Sequence, residues 1–461
     1  MSIPVGSPPT VAGKSCLDEK LNFFDNPGIS YVIEKEIDII VPPITPITET
    51  DKQISFYIPG SSYFLDLSQL MLELELQVQN ADGSNVRAPQ AAVDAVVGPP
   101  PVAAIPYYAS CTVENSIATS IIRDCDMRIN NVSTSPVHGL YAQTHFLINT
   151  LSYSQEFRNN RLELAGYEDE ANFLSTDITG YDRHAKYLEK TANGRRLFVM
   201  TALLTPLSTQ KKLLVNLCNV NIDFTLNSDA FCLRSGDANP NYRLALKKAE
   251  LNVRKIKIID SWVANFEAKL LKNPVSYTVQ IVNCKTYTLP ANILTYTMSD
   301  CFNSFLPSSC FVALQRQELA NGSYVGSPFS YQPNRVSSLH FNIEGQSYPS
   351  RPFKPVWADG NNQNYTREYL ALYRGFNQWQ DVPLGINYAK MKNFHALYAI
   401  NFDDDTTFCR DVMPVKKVSV ANLQIDFRSA NNGVLKLFLF FFSTEQIKID
   451  SQRQVYKNFV M

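Results

Sequence analysis

The sequence of 461 residues contains no Cys-x-x-Cys pair, no His-x-His and no Gly-x-Ser-x-Gly. The first absence removes the usual thiolate pair of a zinc or redox site, the second the ligand pair of a cupin-type jelly-roll enzyme, and the third the elbow that activates a serine. No apolar run approaches the ~20 residues of a membrane helix, so the greasiest stretch, Leu437 to Phe442, is expected as a buried strand. Charge is also scarce. Asp, Glu, Lys and Arg make up 18% of the chain, against roughly 25% in an average soluble domain. The net charge of −1 means that the whole chain is no electrostatic trap for nucleic acid. Aromatics are abundant instead, with 27 Phe and 23 Tyr. That balance suits broad β surfaces and a large contact area with neighbours.

The nine cysteines are odd in number, and no signal peptide is evident ahead of them. Reduced thiols in a cytosolic or nuclear setting are therefore expected, which leaves the Asn-x-Ser/Thr sequons at Asn131, Asn321 and Asn364 silent. Other local patterns dissolve on inspection. Gly6 to Ser15 imitates a phosphate-binding loop, but six residues separate Gly6 from Gly13-Lys14-Ser15 where four are required. His138 and His145 lie seven apart on an expected helix, a spacing suited to packing or solvent contact. Asp403-Asp404-Asp405 is expected as a solvated turn, and Asp124 with Asp126 as one solvated or interface face of a strand. The basic cluster Lys247, Lys248, Arg254, Lys255 and Lys257 is interrupted by Glu250 and is expected to line a solvated strand edge. No catalytic, cofactor-binding or metal-ligating residue is assigned.

What is present is a repeat of element order. Leu339-His340-Phe341-Asn342-Ile343 alternates like a half-buried strand, Glu344-Gly345 supplies a turn, and Pro349 and Pro352 are expected to break the backbone. Tyr365, Tyr369, Leu372, Tyr373 and Phe376 then fall on one face of a helix. Earlier, Cys125 to Ile129, Asn130-Asn131, Ser135-Pro136 and the helical spacing of Leu140, Leu147, Ile148 and Leu151 follow the same order. Ile222-Asp223-Phe224 closes the first series and Ile425-Asp426-Phe427 the second. We read a tandem duplication of one β-rich domain.

Residues 1–30 are expected as a flexible arm, 31–235 as the first sandwich, 236–242 as a linker, 243–450 as the second sandwich and 451–461 as a tail. Strands are expected over Tyr31–Val41, Gln53–Ile58, Leu65–Val78, Ala249–Ile259, Ser276–Leu289, Lys436–Phe442 and Gln446–Ile449. Ala88 to Pro106 and Phe157 to Arg196 read as long decorated loops. Many short strands, scarce helix and long loops indicate an all-β sandwich.

An ordered series of segments resembles a known family. It comprises Tyr63-Phe64-Leu65-Asp66-Leu67-Ser68-Gln69-Leu70-Met71-Leu72, Asp229-Ala230-Phe231-Cys232-Leu233 and Asn283-Cys284-Lys285-Thr286-Tyr287-Thr288-Leu289-Pro290. It continues through Asn321-Gly322-Ser323-Tyr324 with Pro328-Phe329, Ile343-Glu344-Gly345-Gln346, Pro349-Ser350-Arg351-Pro352, and Tyr365 to Tyr373. From Ile54 to Ile449 the chain resembles the double jelly-roll, hexon-like major capsid proteins of Polinton/Maverick elements and adintoviruses. The loop from Ala88 to Pro106 has no counterpart in that pattern. The resemblance implies two tandem eight-stranded jelly rolls with short helices in long loops, in a homotrimer of pseudo-hexagonal outline. Such trimers would tile an icosahedral capsid around double-stranded DNA, in contact with neighbouring capsomers. Penton and minor capsid proteins would be met through the N-terminal arm. It implies a virion location after assembly in the host nucleus or cytoplasm, no enzymatic activity, no cofactor and no sequence-specific binding of nucleic acid.

Rival expectations differ in class. A receptor- or carbohydrate-binding sandwich of spike or lectin type would present an exposed aromatic platform and disulfides. A metal-dependent jelly-roll enzyme would need the missing histidine pair. A minor shell protein such as a penton would carry a single roll, and a domesticated host copy would keep the fold with a changed role.

Overall fold

The computed structural model describes residues 32–86, 111–136, 138–168, 194–235, 237, 239–303, 305–357, 362–375, 385–393, 395–402 and 417–458. The arm at 1–30, the loop core at 88–106, Phe376 of the expected helix face and the Asp403–Asp405 run lie outside them. The first half holds β1 (Ile33–Val41), β2 (Gln53–Ile58), β3 (Phe64–Asn80), β4 (Cys111–Val113), β5 (Ile122–Ile129), β6 (Val132–Ser133), β7 (Leu197–Ala202), β8 (Val220–Leu226), β9 (Leu233–Ser235) and β10 (Tyr242–Ile258). The second half holds β11 (Val275–Leu289), β12 (Thr295–Met298), β13 (Ser309–Arg316), β14 (Val336–Ile343), β15 (Gln346–Phe353), β16 (Leu397–Asn401), β17 (Ala421–Phe427), β18 (Leu435–Ile449) and β19 (Val455–Asn458).

Two four-stranded sheets of the first half run β1-β10-β3-β7 and β2-β8-β5-β6, with β4 and β9 paired apart. In the second half the orders are β11-β18-β13-β16 and β12-β17-β14-β15, with β19 added to β18. Setting aside β4, β9 and β19 and numbering the strands one to eight within each half gives the same pair of orders twice: 1-8-3-6 and 2-7-4-5. Those are two jelly rolls, antiparallel throughout, and the double jelly-roll expectation holds.

The echoed segments occupy equivalent places. Cys125–Ile129 lies in the fourth strand of the first roll and Leu339–Ile343 in the fourth of the second, and both Ile-Asp-Phe triplets sit in seventh strands. Ile222, Phe224, Ile425 and Phe427 are buried while Asp223 and Asp426 face outward, the alternation that a sheet with one covered face requires. The turns match as well. Asn130 and Asn131 have φ of 46° and 68°, and Glu344 and Gly345 have 51° and 82°. Two consecutive left-handed residues make the tight hairpin turn whose twist fits the flanking strands, closing Ile129 on Val132 and Ile343 on Gln346.

Several boundaries move. The linker expected at 236–242 does not part the two sandwiches, because β10 begins at Tyr242 and pairs with both β1 and β3 of the first roll. The Gly/Asn/Pro cluster is a loop between strands of one roll. The crossover comes later, at a helix over Asp260–Leu270 that the sequence reading missed, although Trp262, Val263, Phe266 and Leu270 share one of its faces. Pro349 and Pro352 do not break the backbone: both lie inside β15, an edge strand with no partner on its far side. An edge strand tolerates a residue without an N–H. The expected pair Lys436–Phe442 and Gln446–Ile449 is one strand, β18, bonded to β11 without a break. The tail is not all irregular, since β19 folds back on β18. Phe157 to Arg196 opens with helix over Gln155–Arg161 and Leu162–Ala165, and its residues 169–193 lie outside the described set.

Candidate assembly surfaces

Each roll lends residues to the core of the other. From the first roll, the helix Tyr141–Ser152 sends Leu147 and Leu151 into the second roll's apolar cluster. From the second, Phe329, Tyr277, Ile281, Ile447 and Ile449 join the first roll's cluster. Phe329 is fully buried, stacks on Phe146 at 4.4 Å and meets the Phe231 ring edge-on at 5.9 Å. Gly322 completes the fit with φ +99°; a Cβ there would sit 2.9 Å from the Phe231 backbone nitrogen, so no other residue can be accommodated without moving main chain.

Polar groups across the seam are matched too. Ser327 Oγ donates to Glu114 Oε1 at 2.9 Å, and the second carboxylate oxygen lies 3.8 Å from Arg234 Nε. Tyr277 OH donates to the Leu213 carbonyl at 2.9 Å and accepts from Val215 N at 3.1 Å. Tyr324 OH donates to the Tyr242 carbonyl at 2.8 Å, and Arg158 to the Gly385 carbonyl at 2.6 Å. At the end where β1 starts and β18 finishes, Asn130 Nδ2 donates to the Arg453 carbonyl at 2.6 Å, and Arg453 pairs with Glu267 of the crossover helix. The second Glu114 carboxylate oxygen and Arg158 Nε make no hydrogen bond, but the remaining bonds and the interleaved apolar side chains join the rolls as one body rather than at a hinge.

The residues weighed as chemistry fall into structural roles. His138 is not on the helix with His145; it precedes it, and its Nδ1 accepts from Leu140 N at 3.2 Å. His145 Nδ1 meets Asn149 Nδ2 at 2.8 Å. Asp124 caps the loop by accepting from Gly139 N at 2.7 Å, and Asp126 accepts from Ser133 Oγ at 2.6 Å. Among the described residues no three His, Cys, Asp or Glu side chains converge as metal ligands. The seven cysteines described are all free and buried. Burial pushes the Cys218 and Cys301 thiols up to about 11, away from the thiolate.

The basic cluster lines no strand edge. β10 is internal to its sheet, and four of the cluster's five cations meet carboxylates, two of these on β1: Arg254 to Asp38 at 2.9 Å and Lys257 to Glu34 at 2.9 Å, with Lys248 to Glu250 at 2.7 Å and Lys247 bonded to Glu49. The hydrogen bond from Arg254 holds Asp38 below the usual carboxylate range. This neutral ladder leaves little attraction for phosphate.

Two buried histidines supply a pH response. Burial lowers His145 to about 4 and His395 to about 3. Both are neutral in the fold and take up protons on unfolding below about 6.5. Their contribution to stability is therefore present above about pH 6.5 and is lost as pH falls toward the folded values. We expect the denaturant midpoint to drop between about pH 6.5 and pH 5, where most carboxylates are still ionised. His395→Gln should flatten that drop; an unchanged slope would refute the assignment.

Several large apolar side chains remain exposed. Leu271 is 75% exposed beside the crossover, Phe305 and Val418 are open where their loops bridge each other, and Phe198 is 66% exposed on the edge strand β7. These features suit contact with other chains more than chemistry on small molecules.

No family model matches the sequence. An uncharacterized protein of Caenorhabditis elegans is 24% identical over 260 residues, which is 56% of this chain. The match spans 60% of that relative's length. Similar solved structures agree over nearly the whole chain. A chain of the Sputnik virophage, solved by cryo-EM, superposes with a TM-score of 0.61 at 10% identity, covering 99% of this chain and 94% of its own. The mavirus major capsid protein gives 0.54 at 10% identity, covering 99% and 97%. The Faustovirus major capsid protein gives 0.52 at 8% identity, covering 93% and 92%. The likeness is one of fold, and it extends through both rolls.

Proposed function

We propose that the chain is the major capsid protein of a double-stranded DNA virus or virus-like element, a structural subunit rather than an enzyme. The observation that carries this is the pair of jelly rolls of identical strand order, fused through a shared core and matching viral major capsid proteins over nearly their full length. A subunit built from two like wedges approximates six-fold packing when three copies close about an axis. We therefore assign it a homotrimeric capsomer of pseudo-hexagonal outline, in contact with like capsomers in an icosahedral shell. Penton and minor proteins would meet it through the N-terminal arm, and its place is the virion. The matched β10 ladder and the net charge of −1 favour enclosing a genome without reading its sequence. The buried free thiols disfavour a disulfide-bearing secreted lectin. The nematode relative fits the integrated animal copies implied by the Polinton/Maverick and adintovirus resemblance.

Light scattering after gel filtration, with negative-stain microscopy, tests this directly. Particles of about three chain masses with hexagonal outlines, or closed shells, are expected. A monomer that stays monomeric at high concentration, and in the presence of co-expressed penton protein, would overturn it.

A further inference from the structure

At the end of the second roll away from the chain's entry and exit, the loops after β13 and β17 enclose an open groove of about 630 Å³. Its walls carry Arg316, Arg335, Lys392 and Arg428 against a single carboxylate among the described residues, Glu318. In a chain of net charge −1, that is a local excess of positive charge. Elsewhere the basic cluster on β10 is answered by carboxylates, whereas Arg316, Arg335 and Lys392 form no ion pair among the described residues.

The walls are built to hold their shape. Arg335 and Asn334 are both left-handed, with φ of 58° and 48°, a conformation kept only where the surroundings enforce it. Asn334 Nδ2 donates to the Leu314 and Gln332 carbonyls at 3.0 and 2.8 Å. Arg428 N donates to the Arg335 carbonyl at 2.9 Å, and Arg335 to Ser429 Oγ at 2.9 Å. The buried Asn431 ties the opposite loop through Pro290 O at 2.9 Å and Ile293 N at 2.8 Å. Gln332, Asn393 and Asn432 also line the groove.

Guanidinium groups recognise carboxylate and phosphate oxygens, sulfate presents the same tetrahedral oxyanion, and amides hydrogen-bond hydroxyls. A concave site of this size takes a few sugar rings; a nucleic-acid duplex would need an extended basic face instead. We propose that this groove binds an acidic, sulfated polysaccharide, an attachment function distinct from shell building and independent of it.

The test is retention of the purified full-length protein on immobilised heparin, with solution competition. The variant R316E/R335E should bind about a hundredfold more weakly, at roughly tenfold per charge-assisted contact. The control K248E/K257E, of equal net charge change on the β10 ladder, should bind as the parent does. N432W fills the groove without changing charge and should also lose binding; each variant is checked for the parent's particle size. Equal weakening in pocket and control variants would overturn the proposal, as would equal competition by desulfated heparin. Duplex DNA competing better than heparin would overturn the choice of a sugar ligand.

Discussion

Arg234→Met should destabilise the protein by about 3–5 kcal/mol, the usual consequence of removing one partner from a buried ion pair. Arg234 and Glu114 are 2% and 0% exposed, so the carboxylate cannot turn to water once the guanidinium is gone. Ser327 Oγ and Asn115 N, both at 2.9 Å from Glu114 Oε1, would remain, and two hydrogen bonds do not replace a counter-charge at that depth. Because Ser327 belongs to the second roll, the damage should be shared by both rolls. Denaturant unfolding checks the size of the effect, and a double-mutant cycle with Glu114→Gln checks its origin. With the carboxylate neutralised, the double variant should recover much of the loss. A loss for Arg234→Met below about 1 kcal/mol, or strict additivity in the cycle, would mean that the pair is solvated in a way its burial denies.

Much of the fold could be read from the sequence because it depends on local grammar. A strand covered on one face must alternate, and a two-residue hairpin turn needs left-handed residues. Cys125–Ile129 with Asn130-Asn131 and Leu339–Ile343 with Glu344-Gly345 therefore declared equivalent hairpins at either end of a duplication. The Ile-Asp-Phe strands were legible for the same reason. The boundary between rolls was not, since it depends on non-local pairing. Nothing in Tyr242-Arg243-Leu244 says that its neighbours are β1 and β3 rather than β11, and the Gly/Asn/Pro cluster before it looks the same whether it joins strands or domains. The continuity of β18 through Ser443-Thr444-Glu445 was hidden likewise, because a polar stretch on a strand resembles a turn until its partner, β11, is seen.

The candidate assembly surfaces were legible only in outline. Scarce charge and abundant aromatics indicated large contact areas, whereas the hydrogen-bonding roles of His138, His145, Asp124 and Asp126 depend on neighbours that the sequence does not display. Which apolar residues stay exposed, and that β1 supplies carboxylates to Arg254 and Lys257 of β10, follow from register. The groove at Arg316, Arg335, Lys392 and Arg428 draws on segments more than a hundred residues apart, so no window of sequence could display it.

Phe329→Ala should cost about 3–5 kcal/mol and, more tellingly, should change how the protein unfolds. Two tandem domains with a thin interface would melt independently. Here Phe329, carried by the second roll, stacks on Phe146 and touches Phe231 of the first, with Gly322 pressed against the Phe231 main chain. Leu147 and Leu151 make the reciprocal insertion. The parent is therefore expected to unfold in one cooperative transition, with fluorescence and circular dichroism coincident. Removing the Phe329 ring deletes an aromatic contact worth about 0.5–1.5 kcal/mol beyond its area and opens a cavity where the rolls are joined. The two probes should then separate into two transitions. Phe311→Ala, fully buried within the second roll, is the comparison: it should lose a similar free energy while remaining cooperative. If the parent already shows two transitions, or if Phe311→Ala uncouples the rolls as readily as Phe329→Ala, the seam is not what binds them. A subunit whose rolls unfold together also keeps both wedges at a fixed angle, which is what the proposed closure of three copies into one capsomer would require.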